Sequence, residues 1–142
     1  MKKVILLVVA FIFVSCASDR NVPRNAMLHS DELETIANKI FPLFDYEIEI
    51  GENYLDSLPL TKKEIRLLKY KLKCPEIYIN YDEKSDENID SLVVFKSGGY
   101  WVKQRQVIID MRKKPRTTLP CDCSTIKNRI YYKTDKAIIP IS

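Results

Sequence analysis

The chain has 142 residues, 46% of them hydrophobic and 30% charged, a make-up that fits a folded globular protein and excludes a disordered one. Its formal net charge is +4, but Lys2 and Lys3 lie in a segment that reads as removable, so no overall basic character points to nucleic acid, and no nucleic-acid partner is expected. Charge is uneven along the chain. Residues 61–73 carry Lys62, Lys63, Arg66, Lys69, Lys71 and Lys73 against Glu64 alone, while residues 82–90 carry Asp82, Glu83, Asp86, Glu87 and Asp90 against Lys84.

Lys2 and Lys3 precede an unbroken apolar run at residues 4–14, followed by Ser15-Cys16. A positive start, a short apolar stretch and a small residue before a cut site make a secretory signal. The run is too short to span a bilayer, which takes about 20 residues. The end of the signal, Val14-Ser15-Cys16, resembles the lipobox of bacterial lipoproteins. The resemblance covers residues 1–16 and implies a signal peptide at 1–15, cut just before Cys16. It also implies a covalent lipid on the Cys16 thiol, palmitate-type acylation of the new amine, and a membrane as the partner held through that lipid. No other cofactor is expected. Ala17 rather than Asp after the cysteine resembles lipoproteins passed on to the outer membrane, with the mature domain periplasmic or surface-exposed.

The mature chain is long enough for one domain with a real core. Residues 16–29, the lipidated Cys16 and a stretch without clean periodicity, read as a tether. Residues 30–142 read as a single globular α+β domain, a mostly antiparallel sheet of about five strands with two amphipathic helices packed on it.

In that domain Ser30 reads as an N-cap, with Asp31 and Glu32 in the first turn, where the helix dipole favours acids. Leu33, Ile36, Ala37 and Ile40 then form one apolar face of a helix that Pro42 stops. Phe44, Tyr46, Ile48 and Ile50 alternate with Asp45, Glu47 and Glu49, as in a half-buried strand. Thr61 and Glu64 form a capping box for a second helix, with Leu60 and Ile65 as a hydrophobic staple. Ile65, Leu68 and Leu72, with Leu67 beside them, are its expected buried stripe, and Cys74-Pro75 ends it.

The rest reads as strands, at 76–81, 91–96, 100–111 and 129–133, with a short edge at 137–141. Ser97-Gly98-Gly99 predicts a tight hairpin. A turn at Ser97-Gly98 pairs Phe95 with Tyr100 and Val93 with Val102. A turn one residue later sets Val93 against Gln104, so the first register buries more apolar area.

Cys74, Cys121 and Cys123 remain once Cys16 is claimed by lipid. In an oxidising compartment the expected pairing is Cys74 with one of the Cys121/Cys123 pair, stapling the end of the second helix to a long loop at 112–128. The alternative is a strained, reactive disulfide within Cys121-Asp122-Cys123. Three thiolates with His29 would suit a metal by ligand type, but the spacing matches no zinc motif, and no metal site is expected. No catalytic residue is assigned. His29, the only histidine, reads as a solvated polar residue, and Asp45, Glu47 and Glu49 as the wet face of a strand. Arg112, Lys113, Lys114 and Arg116 open the long loop and form a candidate surface for anionic lipid or acidic glycan.

These features favour a small membrane-anchored envelope lipoprotein acting as a non-catalytic binding or structural module, with an envelope protein or glycan as partner. Two alternatives stand beside it. One is a thiol–disulfide enzyme using Cys121 and Cys123. The other is an inhibitor of an envelope enzyme or toxin that uses the acidic strand face.

Overall fold

A computed structural model of the chain describes residues 21–79, 91–98, 104–116 and 123–135. Among these residues six strands form one antiparallel sheet: β1 (Ile48–Gly51), β2 (Glu76–Ile79), β3 (Leu92–Ser97), β4 (Gln104–Asp110), β5 (Ser124–Lys127) and β6 (Ile130–Asp135). Their spatial order is β1-β2-β3-β4-β6-β5, with every neighbour antiparallel. Helix α1 (Ser30–Ile40) and helix α2 (Lys62–Arg66, continued by a π-helical turn at Leu67–Lys71) supply the other half of the main core, α2 through Leu67, Leu68 and the following Leu72. The class is α+β, as expected, with six strands where about five were predicted.

Leu92 to Phe95 in β3 and Val107 to Asp110 in β4 are all buried, so these strands are covered on both faces. Side chains of a strand alternate between faces. Ile77, Ile79, Val93, Phe95, Val107, Ile109 and Ile130 point to the helices and join the main core. Leu92, Val94, Ile108 and Tyr131 point the other way and form a second, smaller cluster, against which Tyr78 and Cys123 pack.

The predicted hairpin register is not the one formed. Phe95 pairs with Val107, Val94 with Ile108 and Val93 with Ile109. The reason lies in β4. The predicted turn would set Val107, Ile108 and Ile109 opposite residues 86–88 of the acidic stretch. The observed register instead matches the longest β-branched run of β4 to the apolar run of β3 on both faces. Gly98, at φ 97°, takes a left-handed turn directly after β3, a conformation open to glycine.

The tether reading also changes. Residues 21–28 are helical, and Val22 and Ala26 are buried in the main core at 2% and 0% exposure. The His29 N–H donates to Asn25 O and the Leu33 N–H to His29 O, so the helical bonding runs on into α1. Ser30 caps nothing. It is buried one turn beyond Ala26, on a stripe of Val22, Ala26, Ser30, Leu33, Ala37 and Ile40. The small residues Ala26 and Ser30 hide the stripe from a search for large apolar residues.

α2 begins as predicted. Thr61 Oγ1 accepts from the Glu64 N–H, and the Glu64 carboxylate accepts from the Thr61 N–H at 2.7 Å. The same carboxylate binds Lys39 Nζ at 2.6 Å, joining the two helices. Burial works against its charge, but the bonds from Lys39 and Thr61 win and hold Glu64 below the ordinary carboxylate range. After Arg66 the helix widens into a π-turn, with the Leu72 N–H donating to Leu67 O, five residues back. Leu67, Leu68 and Leu72 are buried, whereas Ile65 is only half-buried and Glu64 takes the place on the buried side. Lys73, at φ 48°, closes the helix, and the Cys74 N–H reaches back to Leu68 O.

Two more strands differ from expectation. β1 is shorter than 44–50 and begins only at Ile48, after a 3-10 turn at residues 41–43 that continues α1 and a bend at 45–46. The long loop at 112–128 contains β5, a short polar edge strand with an irregularity between Thr125 and Lys127. The predicted edge at 137–141 lies outside the described residues.

Leu68 is fully buried, so Leu68→Ala should cost about 2–5 kcal/mol, whereas loss of the cap in Thr61→Ala should cost about 1 kcal/mol. Ile65→Ala should fall well below Leu68→Ala. Denaturant melts of the three variants check this order, and equal losses at Ile65 and Leu68 would contradict the placement of the buried face.

Candidate functional site

The basic bias of residues 61–73 becomes a surface once α2 packs beside α1. A depression of about 280 Å³ opens between the two helices, lined by His29 and Glu32 from the first and by Lys63, Arg66, Leu67, Tyr70 and Lys71 from the second. Three of these side chains are cationic and one is a carboxylate. Glu32 is already engaged: His29 Nδ1 lies 3.1 Å from one oxygen and Lys63 Nζ 3.6 Å from the other. The His29 hydrogen bond is the main cause that holds Glu32 below the usual carboxylate range. Arg66 and Lys71 form no ion pair among the described residues, and Tyr70 is 72% exposed. The depression is therefore apolar-walled and bordered by cationic side chains, with an exposed aromatic ring beside them, and suits an anionic surface that also offers apolar contact. Asn25 Nδ2 donates to Lys71 O at 2.9 Å, which ties the 21–28 segment to the end of α2.

The proposed anion loop has a different use for two of its residues. Asp110 is fully buried at the end of β4, and its carboxylate accepts the N–H groups of Arg112 at 3.1 Å and Arg116 at 2.8 Å. The Arg116 guanidinium, itself 11% exposed, lies 3.2 Å from the same carboxylate. Tyr131 Oη donates to Arg116 O, and Arg129 donates to Asp110 O and Arg112 O. Burial, followed by the nearby Asp110 charge, raises the Tyr131 phenol above its ordinary value. Residues 111–116 are thus wrapped on a buried acid. Removing one partner of such a pair costs about 3–5 kcal/mol. Lys113 and Lys114 alone of the four cations are exposed.

The strand acids do not converge as a catalytic pair. Asp45, Glu47 and Glu49 are all exposed, and Glu49 sits opposite Tyr78 in the sheet. Tyr78 Oη donates to Glu76 at 2.9 Å, and Lys96 Nζ lies 5.2 Å from the Tyr78 ring centre. Burial, then the Glu76 hydrogen bond, raises the Tyr78 phenol well above its usual range.

The predicted staple from Cys74 is not made. Cys74 is a free thiol buried in the helix-side core, where Sγ donates to Glu76 O at 3.0 Å. Cys123 is disulfide-bonded and packs against the cluster on the opposite face of the sheet. Cys74 leads into β2 and Cys123 into β5, four strand positions apart, or about 19 Å. A bridge needs Cα atoms within about 7 Å. Cys16 and Cys121 lie outside the described residues. His29 and Cys74 do not meet, and no group of three His, Cys, Asp or Glu among the described residues is placed to hold a metal ion.

No family model, curated protein or solved structure matches the chain.

Burial pushes the Cys74 thiol up from 9.0 to about 12. The folded state therefore keeps a proton that the unfolded state releases above pH 9, and stability should fall as pH rises from there, by up to about 1.4 kcal/mol per pH unit until pH 12. Cys74→Ala should lack this component. Alkylation without reductant should spare Cys74 in the folded protein and tag it on unfolding. A thiol that reacts in the folded state would contradict its burial.

Proposed function

We propose that the protein is a small lipid-anchored envelope module that binds or scaffolds rather than catalyses. The observation that carries this reading is the N-terminal order Lys2-Lys3, apolar run, Ser15-Cys16. Residue 21, already helical, is consistent with it, because it follows Cys16 by only five positions in the sequence. A domain held that close to its anchor works at the membrane surface. The basic groove supports a binding role with an anionic counterpart. The covalent lipid is the one non-protein group, on Cys16, and an envelope protein or glycan remains the partner class for the rest of the surface.

A second reading, thiol–disulfide exchange at Cys121 and Cys123, gains from one observation: Cys74 is free and makes no claim on the pair. A disulfide there would take two electrons and two protons from a dithiol partner, which becomes oxidised in turn. The alkylation experiment decides it when read at these two positions after treatment with oxidised glutathione, since tagging of both under that condition removes this reading.

Metabolic labelling with a palmitate analogue tests the anchor. The wild-type chain should take the label and fractionate with membranes. Cys16→Ser should lose the label and accumulate as precursor or as unanchored protein. Label retained by Cys16→Ser would overturn the assignment.

A further inference from the structure

We propose that the face carrying the inter-helix groove docks on an anionic phospholipid surface and so fixes how the domain stands on its membrane. The inference rests on the lipid-anchor reading for its geometry. From Cys16 to residue 21 the chain reaches at most about 18 Å, and Leu28 lies about 10 Å farther along the helix. The Asn25–Lys71 hydrogen bond places the end of α2 beside this same segment. The anchor therefore delivers this face to the headgroups before more distant parts of the sheet.

The chemistry of the face suits that position. Leu28 and Tyr70 are 68% and 72% exposed, and Lys63, Arg66 and Lys71 line the depression that Tyr70 shares. Arg24, also exposed, precedes Leu28 by one helical turn. A tyrosine offers an apolar ring with a polar tip, and long cationic side chains lay apolar stems on lipid while their heads meet phosphates. The lining carboxylate Glu32 is paired with His29 and Lys63, so it leaves the positive surplus on Arg66 and Lys71.

This pattern fits a fluid headgroup layer better than a protein partner. The cations are surface-exposed, with no rigid fork built around one geometry, and the apolar contribution is two separate side chains. The acyl chains make docking an intramolecular event, so contacts too weak to recruit a free protein still orient an anchored one. The helices cover one face of the sheet. Docking them turns the opposite face, with Tyr78, Glu76 and Lys96, toward partners in the envelope.

The test uses the mature chain with Cys16→Ser, which omits only the lipid, and vesicles of phosphatidylglycerol mixed with phosphatidylcholine. The protein should sediment with these vesicles at low salt, fail to do so with pure phosphatidylcholine, and be released at about 0.5 M salt. Arg66→Glu/Lys71→Glu should weaken binding by roughly tenfold or more. Tyr70→Ser should weaken it less. Lys113→Glu/Lys114→Glu makes the same change in net charge outside the groove and should leave binding near wild type. Thermal melts confirm that each variant is folded. No binding to phosphatidylglycerol vesicles, or loss caused by the Lys113/Lys114 variant rather than the Arg66/Lys71 variant, would overturn the proposal. Palmitate labelling reports on the anchor alone and vesicle binding without lipid reports on the face alone, so the two failures are distinguishable.

Discussion

Val93 lies opposite Ile109, Val94 opposite Ile108 and Phe95 opposite Val107, and this pairing sets both faces of the sheet at once. A slip of one residue would send the helix-side set to the other face. With the pairing in place, the odd-numbered positions of β2, β3 and β4 form the floor on which both helices rest. The even-numbered positions of β3 and β4 give Leu92, Val94 and Ile108, which Tyr131 of β6 joins. The end of the pair also places Asp110, around which the next turn of chain is wrapped by two N–H groups and one guanidinium.

Features governed by near neighbours could be read from the sequence. The Thr61–Glu64 box needs only four consecutive residues, and it forms as written. The α1 stripe of Leu33, Ile36, Ala37 and Ile40 is buried as read, and the stop at Pro42 holds to within a residue or two. Features governed by distant pairing could not. The hairpin register is decided by how Val107, Ile108 and Ile109 find their partners across a connection longer than a tight turn. The Cys74 bridge fails because alternation puts its thiol and Cys123 on opposite faces, which spacing along the chain does not reveal. Residues 21–28 escaped notice because their stripe uses Val22, Ala26 and Ser30, and Ser30 also looks like a cap. β5 is short, polar and at an edge, so it gives almost no period.

The groove was half legible. The bias of residues 61–73 toward lysine and arginine is plain in the sequence, and the structure gathers part of it, Lys63, Arg66 and Lys71, around Tyr70. Its other wall, His29 and Glu32, comes from the segment read as tether and helix start, and only helix packing brings the two together. Of the loop cations, Arg116 is committed to Asp110, which leaves Lys113 and Lys114 as the exposed pair. A basic helical face and an acid-and-tyrosine face on the far side of the sheet give the domain two chemically distinct sides.

Native-state hydrogen exchange tests the central pairing most directly. Strands buried on both faces open only with global unfolding, whereas edges open locally. The amides of Val93, Val94, Phe95, Val107, Ile108 and Ile109 should be the slowest in the protein and should share one opening free energy. Those of β1 and β5 should exchange faster. Slowest exchange in α2 or β5, with β3 and β4 opening separately from each other, would contradict the account.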